Sequence, residues 1–218
     1  MTRDEKIIKN TRNFVKKLLL DEPTGHDWWH ALRVSNNARN INQVEKGNWL
    51  VIELASLLHD VGDRKVIKQQ QDDYSIAENF LKTEGLSTNL IDEVMYIIKN
   101  MSFSKSLDSK KIIKNRELMI VQDADRLDAL GAIGIARTFA YGGSVNQVIY
   151  NPDLKPLKKM SATTYKNHTT TSYNHFEEKL FLLSKMINTE TAKEIAKDRE
   201  KFMKHYTKRF LEEWNGLK

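Results

Sequence analysis

Apolar residues recur at steps of three and four through most of this chain, the spacing that turns one face of an α-helix toward a core. Ile7, Ile8, Phe14, Val15, Leu18 and Leu19 mark a first helix, stopped by the run Asp21-Glu22-Pro23-Thr24-Gly25. Trp28, Ala31, Leu32, Ser35, Ala38 and Ile41 predict a second, from about Asp27 to Val44. A third starts near Trp49 and runs through an almost wholly apolar stretch to Leu58, ending at His59-Asp60 with Gly62 as terminator. Further helices are expected over residues 74–82, 88–101 and 116–140. The last of these is rich in Ala, Gly and Ile in its second half, which suits close helix approach in the middle of the fold.

Residues 102–110 read as an exposed Ser/Lys loop. Residues 144–172 are polar, carry Pro152 and Pro156, and resemble the long loops that often serve as lids or binding segments. Two closing helices, about Tyr173–Ile187 and Thr189–Trp214, complete the pattern. No strand period, repeat or domain boundary is visible. The expectation is an all-α fold, a single-domain helical bundle over residues 1–218.

Composition narrows the chemistry. At 218 residues, 40% hydrophobic and 29% charged, the chain is too apolar for disorder and too polar for a membrane bundle. It has no cysteine, which removes disulfides, thiolate metal sites and cysteine nucleophiles together, so any metal must be held by His and carboxylates. Lys and Arg number 35 against 29 Asp and Glu, a net charge of +6 that leaves nucleic acid, a membrane surface or small phosphate anions open as partners. The first twenty residues are too charged for a signal peptide, and no apolar run approaches the roughly 20 residues that span a bilayer. A cytoplasmic protein with no membrane partner is expected.

Charged side chains inside apolar helices are the informative exceptions. Asp60 closes the most apolar helix and needs a counter-charge, from a metal or from Arg33 or Arg64. Asp123, Asp125 and Asp128 sit inside another apolar segment with Arg126 among them. Asp125 and Asp128, three apart, share a face while Asp123 points elsewhere. An Arg126-centred salt-bridge network is the alternative to a site. The basic residues of the last helix read as a solvated face.

These blocks resemble the HD-domain metal-dependent phosphohydrolases. The pattern stands here as Trp28-Trp29-His30-Ala31-Leu32-Arg33, then Leu57-Leu58-His59-Asp60, then Asp123-Ala124-Asp125-Arg126-Leu127-Asp128. The stretch Gly25 to His30, the Asp60-x-x-Asp63-x-Lys65 segment, the run Asp123 to Gly143 and the block His175-Phe176-x-x-Lys179 are similar to a small bacterial subfamily that includes nucleotide pyrophosphohydrolases. The likeness runs from about Asp21 to Phe202. Arg64 follows Asp63 where related hydrolases often carry a second acid, so the two-acid device of alarmone-degrading relatives is not carried over.

The resemblance implies an HD-type bundle with its metal-site core at about 24–143, followed by a loop and C-terminal helices over 144–218. It implies His30, His59, Asp60 and Asp125 as ligands of a divalent ion, with Asp123 as the substitute if the helical phase differs. Mn²⁺ is the preferred ion, with Fe, Co, Ni or Mg also compatible with His and oxygen ligands. Asp63 is the expected general base, with a solvated loop acid as the alternative. Lys65, Arg126 and His26 are the expected phosphate contacts, His26 having a structural role as its alternative.

The implied activity is hydrolysis of a nucleoside triphosphate to monophosphate and pyrophosphate. Phosphomonoester or phosphodiester hydrolysis of a nucleotide comes second, because the same ligands serve each reaction. A non-catalytic nucleotide-sensing or nucleic-acid-binding module is the alternative outside enzymes. A small nucleotide is therefore the expected partner in preference to nucleic acid, and a homodimer stays open.

Overall fold

The computed structural model describes residues 1–20, 25–63, 73–103, 113–157 and 168–218. These residues fall into two compact units, Met1–Asp125 and Arg126–Lys218, and the division lies inside one helix. The described residues are helical, turn or irregular, with no strand among them, as the all-α reading requires.

In the first unit, α1 (Arg3–Leu19) opens with a capping box in which Thr2 and Glu5 satisfy each other's backbone. Acids in its first turn and Lys16 and Lys17 in its last oppose the helix dipole favourably. α2 (Trp28–Glu45) starts on Asp27, whose side chain accepts from the His30 backbone N–H, and ends at Lys46 in the left-handed region. Gly47 comes next, where a Cβ would meet Ile52 Cδ1 at 2.9 Å, so a larger residue would push the ends of neighbouring side chains aside.

That helix, α3 (Trp49–Leu58), is capped by Asn48 and is buried at every position from Val51 to Leu58. It is the axis of the unit, packed against α1, α2 and α5 (Thr88–Asn100). α4 (Ser75–Thr83) packs on α5 and meets α1 through a Phe14–Phe80 stack with centroids 4.1 Å apart. α6 (Arg116–Asp128) contributes Leu118, Ile120, Val121 and Ala124 to the same core. Asn37 Nδ2 donates to the Ala124 carbonyl at 3.2 Å and Gln122 Nε2 to the Met101 carbonyl at 3.2 Å.

The expected continuous helix over 116–140 is in fact two. α6 ends at Asp128, Leu130 is extended, and α7 (Gly131–Ser144) begins at a glycine with φ +75°. The apolar period runs straight across this break, which is why periodicity alone misses it. In the second unit α7 and α8 (Phe181–Lys185) pack on α9 (Glu190–Trp214). Phe139, Phe176, Tyr206 and Phe210 form an aromatic cluster, at one end of which Tyr150 meets Tyr173 and Trp214 edge-on.

The expected helix over 173–187 is shorter and starts with a π-helical turn, Phe176–Leu180. Inside that turn buried Glu178 accepts from Leu157 N–H at 3.1 Å and Thr170 Oγ1 at 2.9 Å, with His168 Nε2 3.0 Å away. On α9 Lys204 pairs with Glu200 and Arg209 with Glu213 along an exposed face, whereas Arg199 is half-buried and donates to the Leu127 carbonyl. No described helix is long and apolar enough to cross a membrane.

Candidate metal centre

The candidate centre is assembled at three helix ends of the first unit. Gly25, at φ +85°, turns the chain into α2, and the Asp27 cap fixes the first turn so that His30 is fully buried. α3 delivers His59 and Asp60 at its C-terminus, where the chain folds back through Val61 N–H to Leu58 O at 2.9 Å and Asp63 N–H to Asp60 O at 3.1 Å. Gly62 then holds φ +91° and accepts from the Asp73 N–H at 2.7 Å. α6 brings Asp125 from the other side.

Four side-chain atoms converge. His30 Nε2 lies 3.1 Å from His59 Nε2, 3.3 Å from Asp60 Oδ2 and 3.5 Å from Asp125 Oδ1. His59 Nε2 lies 3.2 Å from Asp60 Oδ2 and 4.0 Å from Asp125 Oδ1. Neighbouring ligands of an octahedral ion with bonds of about 2.1 Å are about 3.0 Å apart, and opposite ones about 4.2 Å. These five separations lie in that range, and two overlapping triads, His26 with His30 and Asp60 and His30 with His59 and Asp125, offer the His and carboxylate donors that suit a divalent ion. His59 Nδ1 donates to the Ser56 carbonyl at 2.8 Å, which leaves the Nε2 lone pair of the neutral ring facing the centre.

The side chains of His30, His59 and Asp60 are nearly inaccessible, whereas that of Asp125 is 35% exposed. Asp125 is thus the most exposed of the four. Asp123, two residues earlier and fully buried, is not among the converging ligands of the described residues, which are His26, His30 and Asp60 on one side and His30, His59 and Asp125 on the other.

The electrostatics match a cation site. Burial works against a charged His59, but the carboxylates of Asp60 and Asp125 outweigh it, and its imidazole is pushed up to about 9. Burial likewise opposes ionised Asp60, yet His26, His59 and His30 hold its carboxyl well below the usual carboxylate range.

The remaining expected residues are more dispersed. His26 Nδ1 sits 2.8 Å from Asp60 Oδ2, so one edge of this ring is engaged with a ligand carboxylate and 24% of the side chain is exposed. Asp63 follows directly on the His59-Asp60 turn and is half-buried. Lys65 lies outside the described residues. Arg126, expected at phosphate, is instead buried, with a guanidinium N–H on the Met186 carbonyl. Asp128 pairs with Arg137 at 2.9 Å.

A family model for the HD domain matches residues 28–130, which span the three ligand-bearing helix ends. The chain is 33% identical to the uncharacterised protein YpgQ of Bacillus subtilis (strain 168) over 99% of its own length and 97% of that protein's. The chain belongs to the HD-domain family.

Solved structures resemble the chain along nearly its full length. A Lactobacillus plantarum protein superposes with a TM-score of 0.85 at 34% identity, covering 99% of both chains. An HD-superfamily hydrolase from Bacillus thuringiensis gives 0.74 at 38% identity, over 98% of this chain and 99% of that one. YpgQ, solved in complex with ADP, gives 0.76 at 34% identity over 97% and 96%.

One cluster near the centre escaped notice in the sequence. Glu53, Ser35, Arg39 and Arg12 meet inside the first unit. The available signal was the lone acid in the otherwise uncharged run from Leu50 to Leu58.

Proposed function

We propose that this HD protein is a divalent-metal-dependent phosphohydrolase that cleaves nucleoside triphosphates to monophosphate and pyrophosphate. The carrying observation is the convergence of His30 and His59 with Asp60 and Asp125, each histidine Nε2 lying within 4.0 Å of both carboxylates. The ADP complex of YpgQ supports a nucleotide as substrate. The whole chain is taken as one HD domain, acting in the cytoplasm with Mn²⁺ as the preferred ion.

When bound at these four ligands, a divalent ion supplies Lewis-acid chemistry, polarising a phosphoryl oxygen and acidifying water. The protein does the rest. His59, locked through Nδ1 on the Ser56 carbonyl, and Asp60, held by His26, keep the ligand atoms in place. Asp63 orients the attacking water and takes its proton. The water oxygen bonds to the α-phosphorus, and the bond to the oxygen bridging toward the β-phosphorus breaks, releasing pyrophosphate. Lys65 and the outward edge of His26 stabilise charge on the phosphate chain. Arg126 is left out of the substrate contacts because its guanidinium is buried on Met186.

The test is a panel of nucleoside triphosphates, diphosphates and monophosphates incubated with Mn²⁺-loaded protein, with products resolved by ion-exchange chromatography. Pyrophosphate with monophosphate, lost in His59→Ala, is expected. Free phosphate with a nucleoside would assign a monoesterase instead. No turnover of any nucleotide would overturn the enzymatic reading.

A further inference from the structure

Glu53 is fully buried in α3, six residues before His59. Its Oε1 collects three donors from two other helices: Arg12 of α1 at 2.7 Å, and Ser35 Oγ and Arg39 of α2, each at 3.0 Å. Arg39 also lies over the Trp49 ring, 5.2 Å from its centroid. Glu53 Oε2, Ser56 Oγ and the Nε atoms of both arginines are buried without a hydrogen-bond partner among the described residues.

Such a cluster is a poor device for stability. Desolvating a carboxylate and two guanidinium edges costs about as much as their attraction returns, and an apolar residue of similar size commonly does as well or better. What a directional cluster supplies is register. Elsewhere α2 turns Ala31, Val34, Ala38 and Ile41 inward, and α3 is an apolar cylinder. Apolar packing is non-directional and resists sliding only weakly, whereas three hydrogen bonds converging on one oxygen do not survive a slip.

The register matters because α2 carries His30 and α3 carries His59-Asp60. A site of this kind needs its donors placed within about 0.5 Å. We infer that Glu53 is a positioning residue for the metal centre, using Ser35 and Arg39 to set α2 on α3 so that His30 Nε2 meets His59 Nε2 and Asp60 Oδ2. The inference rests on the metal-centre reading above. Arg12, which ties the same oxygen to α1, has no part in that α2–α3 register.

The test uses full-length protein and Mn²⁺ alone as the probe. Affinity is measured by calorimetry, and the environment of the bound ion by electron paramagnetic resonance. The melting temperature of the metal-free protein is recorded beside them. Glu53→Gln keeps an acceptor oxygen and should bind Mn²⁺ with nearly wild-type affinity and an unchanged spectrum. Glu53→Met should lose about tenfold or more in affinity and alter the spectrum, the range seen when outer-shell partners are removed.

Should Glu53→Met fail to fold, the double variant Ser35→Ala/Arg39→Met removes the α2 donors and leaves the Arg12–Glu53 pair, with the same expected loss. Arg12→Met should keep wild-type affinity even where its melting temperature falls. Wild-type affinity and spectrum in Glu53→Met or in the double variant would overturn the inference. So would an equal loss in Arg12→Met, which would make the cluster merely structural. Wild-type protein that takes up no Mn²⁺ would overturn the metal-centre reading itself, and this inference with it.

Discussion

Loading the centre with metal should expel a proton from His59. With its imidazole at about 9 in the metal-free protein, His59 is protonated over neutral by about 30 to 1 at pH 7.5, since each pH unit is tenfold. Only the neutral ring offers an Nε2 lone pair, so apparent metal affinity should rise about tenfold per pH unit between 6.5 and 8.5 and level off above 9. Asp60 ionises far below that window and adds no slope to it.

The same proton stabilises the metal-free fold. A histidine raised from 6.5 to about 9 contributes about 3 kcal/mol, at about 1.4 kcal/mol per unit. That contribution is fully present below pH 6.5 and is lost as the pH rises through about 9, because the folded state then holds the proton more tightly than the unfolded one. Chelator-treated protein should therefore lose melting temperature from pH 6.5 to 9.5. A saturating ion replaces the proton and should abolish that loss. The assay is Mn²⁺ calorimetry at pH 6.5, 7.5 and 8.5 in buffers of different ionisation enthalpy, which counts protons released per ion. A release near one at pH 7.5 is expected. An affinity independent of pH with no proton released would refute the reasoning, since it would mean that Asp60 and Asp125 do not act on His59 as their distances require.

Further predictions concern the supports of the same centre. Asp60→Ala and Asp125→Ala should each lower metal content measured by atomic emission, and an unchanged content in both would remove them from the ligand set. Asp27→Ala deletes the cap on the His30 N–H and should cost about 1 kcal/mol in denaturant unfolding. Gly62→Ala would place a Cβ 2.0 Å from the Asp73 carbonyl oxygen at a φ of +91°, so a loss of at least about 2 kcal/mol in stability is expected, with weakened metal binding because the turn carrying Asp60 must move. In the second unit, Glu178→Ala strands the Leu157 N–H and the Thr170 hydroxyl and should cost about 3 kcal/mol by thermal melting.

How much of this could be read from the chain depends on how local the cause is. The extents of α1, α2 and α3 follow from periodicity and caps within a few residues, so they are legible. The grouping of His30, His59, Asp60 and Asp125 comes from the resemblance to the HD-domain phosphohydrolases, since residue type and position by themselves mark only Asp60 and the acids around Asp125 as exceptions that need a partner. The break between Asp128 and Gly131 was not legible, since apolar spacing continues through it and only the backbone at Leu130 and Gly131 reverses the path.

The sequence by itself determined the helical class, the first three helices, the absence of thiol chemistry and the residue types from which a His/carboxylate centre can be built. The tertiary structure decided which of them meet. Asp125 and not Asp123 faces the histidines because two residues along a helix turn a side chain to nearly the opposite face. His26 rests on Asp60, and Arg126 is drawn into the interior on Met186, 60 residues away along the chain. Glu53 gathers partners 14, 18 and 41 residues distant. Contacts at such separations leave no periodic trace, because they depend on where two helices cross and not on what either helix prefers alone.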